Sequence, residues 1–556
     1  AFKCAGAGNF NTLIGHAVAC CANGSFTNNV IIGTNAAKCK VSGVNNTVMG
    51  WCSLAGNAGS SSRNTAIGYE SQKCNTSGEK NTSLGVSTLL DNTIGNCNIA
   101  IGYEALQNNV SSHRSIAIGW SALYCLGAAA QSPGSNIAIG CGAMYHSTTG
   151  YNNVAIGEQS LFQNTCGVNN VALGTSSLRD STTGSNNVAI GDAALKENTT
   201  GKHNVAVGQG SLCNNIIGTF NTAMGDKALH GNTTASFNTA IGNNSLRCNT
   251  TGQRNIAIGS DALCAGTTAN NNVAIGYFAL KNNSGGTENT AIGGCALELN
   301  TTATSLTAVG FCALRSNTIG HSNTAVGRSA LLSNSSGIYN SAFGREALKS
   351  NTTGSNNSAM GFAALCSNTT GIDNIAIGWQ SLVKSTTAQQ NTAVGTMALA
   401  CNTVGCDNVA IGSRAMCANT TGNLNVSVGR SALRANTTGK CNTAIGALAL
   451  STNTTGFFNT GVGYQALTTN LCGNCNTGVG YRALAQNTTG SNNTAVGLIA
   501  LQANTTGNDN TAIGYFALVS NVTGLQNTAV GVCALQDNTS GQSNTAVGFR
   551  TLCNNT

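Results

Sequence analysis

Residues 493–509 read NTAVGLIALQANTTGND, and the next seventeen, residues 510–526, read NTAIGYFALVSNVTGLQ. Asn, Thr, Ala, an aliphatic residue and Gly recur at the same places, so the glycine can be followed along the chain as a ruler. From Gly140 to Gly548 it returns every 17 residues through 24 consecutive steps. Upstream lie Gly15, Gly33, Gly50, Gly68, Gly85, Gly102 and Gly119, at steps of 18, 17, 18, 17, 17 and 17, and then comes one step of 21. The long step holds the only proline, Pro133, and reads as a loop insertion at 127–134; the uneven early steps mark 1–63 as irregular N-terminal coils. Thirty-two copies fill 1–556 as a single repeat domain.

The consensus is N-T-A-(I/V)-G-x-x-A-L-x-x-N-T-T-G-x-x. The residue before the ruler glycine is apolar in all 32 copies (Ile67, Val207, Phe343, Val547), and four after it stands Leu in 27 copies and Met in two. These two columns are read as the core. Anchors five residues apart, with Gly and small residues between, do not make a helical stripe. Seventeen residues suit short strands and tight turns better than a helix plus a strand. Stacked in register about 4.8 Å apart, such coils form parallel sheets. The predicted fold is all-β: a parallel β-solenoid, or β-roll, of about 32 coils. Asn recurs four before the glycine in 30 copies, failing at Ser115 and Leu306, and is read as an inward ladder bonding along the stack. Ruler glycines and the glycine of N-T-T-G are both expected at corners with positive φ.

Two before the glycine, every copy from Ala66 onward is Ala, Ser or Gly, whereas the first three have Leu13, Ile31 and Val48. Alternation along a strand sends this column to the face opposite its apolar neighbour. Either it is an outward packing face, with Ala495, Ala512, Ala529 and Ala546 as examples, or coil curvature turns it inward and core volume limits its size.

The N-T-A-I-G and N-V-A-I-G units followed by Ala-Leu resemble the head repeats of YadA-type trimeric autotransporter adhesins, and 17-residue repeats of phage and marine virus tail fibres. The resemblance covers nearly the whole chain. It implies a left-handed parallel β-roll, trimeric, with small and aliphatic columns such as those of Ala512 and Ile513 facing the shared axis. Head coils of that family are usually shorter, its coiled-coil stalk, membrane-anchor barrel and terminal chaperone-like module are not matched by these residues, and the cysteine load of this sequence is foreign to it.

The composition narrows function. Only 8% of residues are charged, against about 25% in an ordinary domain, while 41% are hydrophobic, too many for a disordered chain. No stretch has the 18 or so apolar residues of a membrane span. The net charge of +8 comes from scattered residues without a Lys/Arg cluster, so neither nucleic acid nor membrane insertion is expected. AFKCAGAGNF at the start lacks the charged and apolar regions of a secretion signal.

Twenty-four cysteines without zinc spacing suggest an oxidising, extracellular or cell-surface setting, or a virion fibre. Cys21 with Cys39, Cys248 with Cys264, Cys295 with Cys312, and Cys401 with Cys417 share or adjoin columns and are candidate inter-coil disulfides. The repeats run to Cys553 without a capping sequence, and uncapped coils invite end-to-end stacking. Cys4 and Cys553 are then a candidate intersubunit pair, with Cys20 or Cys21 as competing partners of Cys4. Eleven copies carry Asn-Thr-Thr, at Asn198, Asn232, Asn249, Asn300, Asn351, Asn368, Asn419, Asn436, Asn453, Asn487 and Asn504. These match N-glycosylation acceptors on exposed corners, or plain turn chemistry.

No enzymatic activity, metal or other cofactor is expected. The six histidines occupy unrelated columns, and acids two after the glycine (Glu104, Asp261, Glu346) read as solvated. The expected function is a structural subunit of an extracellular filament or surface fibre, with copies of itself as partner, as a homopolymer or homotrimer. An adhesin or tail-fibre shaft that binds glycans or a host surface is the alternative. Ice binding is the third reading, against which stands the placing of Thr-Thr at turns.

Overall fold

A computed structural model describes residues 9–56, 59–126 and 134–555. These residues form 34 strands and no helix, as a parallel β-solenoid. The chain falls into two compact units, 1–285 and 286–556. In the first, β1 (Thr12–Ile14), β3 (Val30–Ile32), β5 (Thr47–Met49), β6 (Thr65–Ile67) and their successors to β18 (Val273–Ile275) pair in parallel. In the second, the same coil runs from β19 (Thr290–Ile292) to β34 (Thr545–Val547). The register repeats the ruler: Thr460 faces Thr477 and Ala512 faces Ala529, while Thr12 faces Val30 and Ile116 faces Ile137 across the longer coils. The insertion at 127–134 lies outside the described residues apart from Gly134. In the irregular N-terminal coils a second small sheet pairs β2 (Phe26–Thr27) with β4 (Gly43–Val44).

Each strand of the large sheet has three residues, and its middle one points inward. Thr511 and Ile513 of a typical strand are half-buried and exposed, while Ala512 is fully buried. A Cβ built on Gly461, which stands in the alanine column, would come within 3.3 Å of Leu450 Cγ. The small column therefore faces the leucine column inside the coil. The expected outward packing face at Ala495, Ala512, Ala529 and Ala546 is corrected: all four are at most 2% exposed. The companion expectation, a core column just before the ruler glycine, is corrected with it, for Ile513 is 40% exposed. Volume is the reason. The interior holds one large side chain per coil beside methyl-sized ones, and close-packed interiors tolerate neither excess nor void. The early coils obey the same limit in reverse, with Leu13 and Ile31 two before the glycine where Ala19 and Ala37 stand in place of leucine.

Two asparagine ladders line the interior. In the ladder four before the glycine, the backbone N–H of Asn459 donates to Asn442 Oδ1 at 3.0 Å, and Asn459 Nδ2 donates to Gly473 O at 2.8 Å. In the ladder seven after it, Asn453 Nδ2 donates to Asn436 Oδ1 at 3.0 Å and to Gly456 O at 3.1 Å. Together they satisfy backbone groups that a dry core would otherwise strand. Gly514 holds φ +137°, and a Cβ there would lie 2.4 Å from Gly531 O. The N-T-T-G glycine has no positive φ, correcting that expectation; a Cβ on Gly507 would lie 2.4 Å from Asn504 Oδ1 and Gly524 O, yet the same column holds buried Ala235, Ala269, Ala303 and Ala388 in other coils, so the turn shifts to take a methyl group. Leucines of the core column do adopt the left-handed region, as at Leu518 with φ 51°, held there by burial of the side chain.

One cation breaks the second ladder. Lys40 stands in the asparagine column, 1% exposed, and its Nζ donates to the carbonyl oxygens of Asn75 and Thr76. Burial lowers its pKa to about 8. Between that value and the ordinary 10.5 the unfolded chain keeps a proton that the folded chain has released, so stability rises with pH across this window.

Two outcomes follow for stability. Ala444→Leu is expected to destabilise the second unit by about 1–3 kcal/mol in urea denaturation, whereas Ile445→Leu on the outward column should stay within about 0.5 kcal/mol. Equal effects would contradict the inward assignment. For Lys40, wild type should gain on the order of 3 kcal/mol relative to Lys40→Met between pH 8 and 10.5. Parallel curves for the two proteins would show that Lys40 titrates normally.

Candidate interaction surface

Because the middle residue of each strand turns inward, its two neighbours form the outer face. The column just before the ruler glycine exposes Ile156, Ile190, Met224 and Ile241 in the first unit, and Ile292, Phe343, Met360, Ile377, Ile411, Ile445 and Ile513 in the second. Two residues earlier runs a mixed column of Thr, Val, Ile and Ser, such as Val409, Thr443 and Thr460. The relief is low. A shallow cleft of about 150 Å³ opens where Ser341 and Ser358 flank Phe343 and Met360.

Directly after the ruler glycine lies a column that sequence reading passed over. It carries all three tryptophans, Trp51, Trp120 and Trp379, each at least 42% exposed, together with Tyr69, Tyr103, Tyr277, Tyr464, Tyr481 and Tyr515. Rings on adjoining coils stack, at 4.8 Å between centroids for Trp51 and Tyr69 and 5.7 Å for Tyr464 and Tyr481. The clustering of every Trp at one ruler position was the available signal.

The candidate disulfides are corrected. All cysteines among the described residues are free thiols, including Cys21, Cys39, Cys248, Cys264, Cys295, Cys312, Cys401 and Cys417. In-register rungs project parallel Cα–Cβ bonds, which keeps Cβ atoms near the coil spacing of about 4.8 Å instead of the roughly 3.8 Å that a disulfide requires. Two pairs are also one column apart: Cys248 N–H donates to the carbonyl of Cys264, and Cys401 N–H to that of Cys417. Thiols cluster five and six residues after the glycine. Burial raises the pKa of Cys74, Cys125, Cys213, Cys264, Cys366 and Cys417, keeping them protonated. Cys20 and Cys21 sit with sulfurs 3.9 Å apart, Cys553 contacts Asn554 Oδ1 at 3.3 Å, and Cys4 lies outside the described residues.

The glycosylation candidates are corrected too. Asn198, Asn232, Asn249, Asn300, Asn351, Asn368, Asn419, Asn436, Asn453, Asn487 and Asn504 are the rungs of the second ladder, all fully buried. The nitrogen a sugar would occupy is already bonded: Asn504 Nδ2 donates to Asn487 Oδ1 at 2.7 Å and to Gly507 O at 3.0 Å. The threonine that follows donates its hydroxyl to the next coil, as Thr505 Oγ1 does to Val522 O at 3.1 Å. The three acids singled out by sequence are not brought together; Glu104 accepts from Ser121 Oγ, Asp261 from Ser260 Oγ, and Glu346 pairs with Arg345 at 3.3 Å. Among the described residues no group of three or more His, Cys, Asp or Glu is placed to hold a metal ion.

Compared with known protein families and curated proteins, the chain matches none.

Peptide mass spectrometry of the soluble, folded protein secreted from a eukaryotic host is expected to find Asn436 and Asn453 without sugar. Substantial occupancy at either position in folded material would be incompatible with their place in the ladder.

Proposed function

We propose that the protein is a structural fibre subunit that assembles side by side with copies of itself through its outward apolar columns. One observation carries the reading: the column before the ruler glycine is apolar in every copy and turns away from the core. Contiguous exposed apolar surface marks an interaction site. A second copy suits this surface because the face repeats coil by coil, so a contact that fits one rung fits the next. Sixteen strands in one unit, at about 4.8 Å per step and 10 Å across, offer on the order of 700 Å², close to the roughly 800 Å² each partner contributes to a standard interface. The resemblance to trimeric heads points to three copies and to an extracellular, cell-surface or virion fibre.

A second reading, ice binding, draws on the same face. In the last seven coils its first column is an unbroken threonine ladder from Thr443 to Thr545, each rung two residues before Ile or Val. Regularly spaced hydroxyl and methyl groups on a stiff sheet can order water.

Sedimentation equilibrium at micromolar concentration is expected to show a homo-oligomer. The triple variant Ile411→Lys, Ile445→Lys, Ile513→Lys should sediment as a monomer with unchanged circular dichroism and melting. A monomeric wild type would defeat lateral assembly and leave an ice-recrystallisation assay to judge the second reading.

A further inference from the structure

Charge is sparse in this chain, with 25 Lys and Arg in 556 residues, yet three stand in four successive rungs of one exposed column. The column lies five before the ruler glycine and reads Arg63, Lys80, Cys97, Arg114. Their backbones stack in order: Cys97 N–H donates to Glu79 O and Arg114 N–H to Asn96 O, both at 3.0 Å. The neighbouring column supplies Glu79, Asn96 and His113. Between the two opens a cleft of about 370 Å³, lined by Glu79, Lys80, Asn96, Cys97, His113 and Arg114.

The polar groups of this cleft are arranged as donors. His113 Nδ1 accepts the Asn96 N–H at 2.9 Å, which fixes the ring's proton on Nε2 and leaves that N–H to donate. Asn96 Oδ1 accepts the Glu79 N–H, so the side chain has its amide hydrogens to offer. Glu79 is the single acid, and Arg63 lies 3.8 Å from it. Lys80 and Arg114 form no ion pair among the described residues, and at about 4.8 Å per rung they stand roughly 10 Å apart across the Cys97 rung. Two cations outside any ion pair, lining one cleft with N–H donors, suit an oxyanion, Arg by bidentate contact and Lys as a point charge. A cleft of this volume lies in the range that holds small ligands.

We propose that this cleft binds an oxyanion, a sulfate or carboxylate group, carried on a saccharide of one or two rings or presented as the free ion. It is independent of the apolar face and of lateral assembly.

Cys97, exposed at the centre of the cleft, reports on it in the full-length protein. Alkylation by anionic iodoacetate, which leaves a carboxymethyl group, and by neutral iodoacetamide, which leaves a carbamidomethyl group, is followed at each thiol by peptide mass spectrometry. The iodoacetate-to-iodoacetamide rate ratio is expected to be about threefold or more higher at Cys97 than at exposed Cys166 and Cys472, whose stacked neighbours are uncharged. Lys80→Ala with Arg114→Ala should return the ratio to that of the other two, and Glu79→Gln should raise it. A sulfated disaccharide at millimolar concentration should slow iodoacetamide at Cys97 at least fivefold and leave Cys166 unchanged. Weaker protection by inorganic sulfate assigns the cleft to the saccharide-borne group, and equal protection assigns it to the free ion. An undistinguished rate ratio, or protection by neither probe, overturns the proposal.

Discussion

A coil of seventeen residues encloses a cross-section filled by one leucine, a few methyl groups and two asparagine side chains. Every other feature follows from that restriction. A backbone bent this tightly presents carbonyl and amide groups inward at its corners, and each needs a partner that the core cannot supply as solvent. Asparagine is the side chain that fits: its amide donates within its own coil, to Gly456 O from Asn453, and along the stack, to Asn436 Oδ1. The ladder thus closes each turn and joins it to the next with the same two atoms. Where a rung is missing the cost is visible. Asn164, Asn249 and Asn368 precede coils that have Ser181, Gly266 or Ser385 in the ladder column, and the Oδ1 of each receives no hydrogen bond from the described protein groups.

The restriction also sets which column faces in. Alternation says that neighbours on a three-residue strand face opposite ways but not which way, and when both are apolar, hydropathy does not choose. The column of Ile513 reads as core because it is apolar in all 32 copies, although a coil already holding Leu518 has no volume for it. The deciding signal was present in the swap of sizes at Leu13 with Ala19 and Ile31 with Ala37, a pairing that makes sense only if the two columns touch. The ruler, the parallel register and the first asparagine ladder were legible because each depends on periodicity alone.

The second ladder was hidden for a different reason. Asn-Thr-Thr-Gly has the composition of an exposed turn and the pattern of a glycosylation acceptor, and both descriptions treat its asparagine as solvent-facing. Its substitutes point the other way. Ser147, Ser181 and Ser385 are small and uncharged, as an interior column requires, and among the described rungs Lys40 alone carries charge there. Cysteine is ambiguous in the same way: a shared column implies nearness, but parallel stacking that brings Cα atoms to the right distance holds side chains parallel and so keeps sulfurs from converging.

These constraints divide the coil between what stacking dictates and what it leaves free. Interior columns are nearly invariant from copy to copy, because a change in one rung disturbs the rungs on both sides. Positions just after the ruler glycine and five before it face solvent, and their identity varies without touching the ladders. There the chain concentrates its tryptophans and, in one short run, its cations. Residues placed where folding exerts no pull, yet sorted by type, are explained by recognition more readily than by stability. The rigid coil then acts as a scaffold that sets side chains at a fixed pitch, and any ligand or neighbouring copy must match that pitch to engage more than one rung.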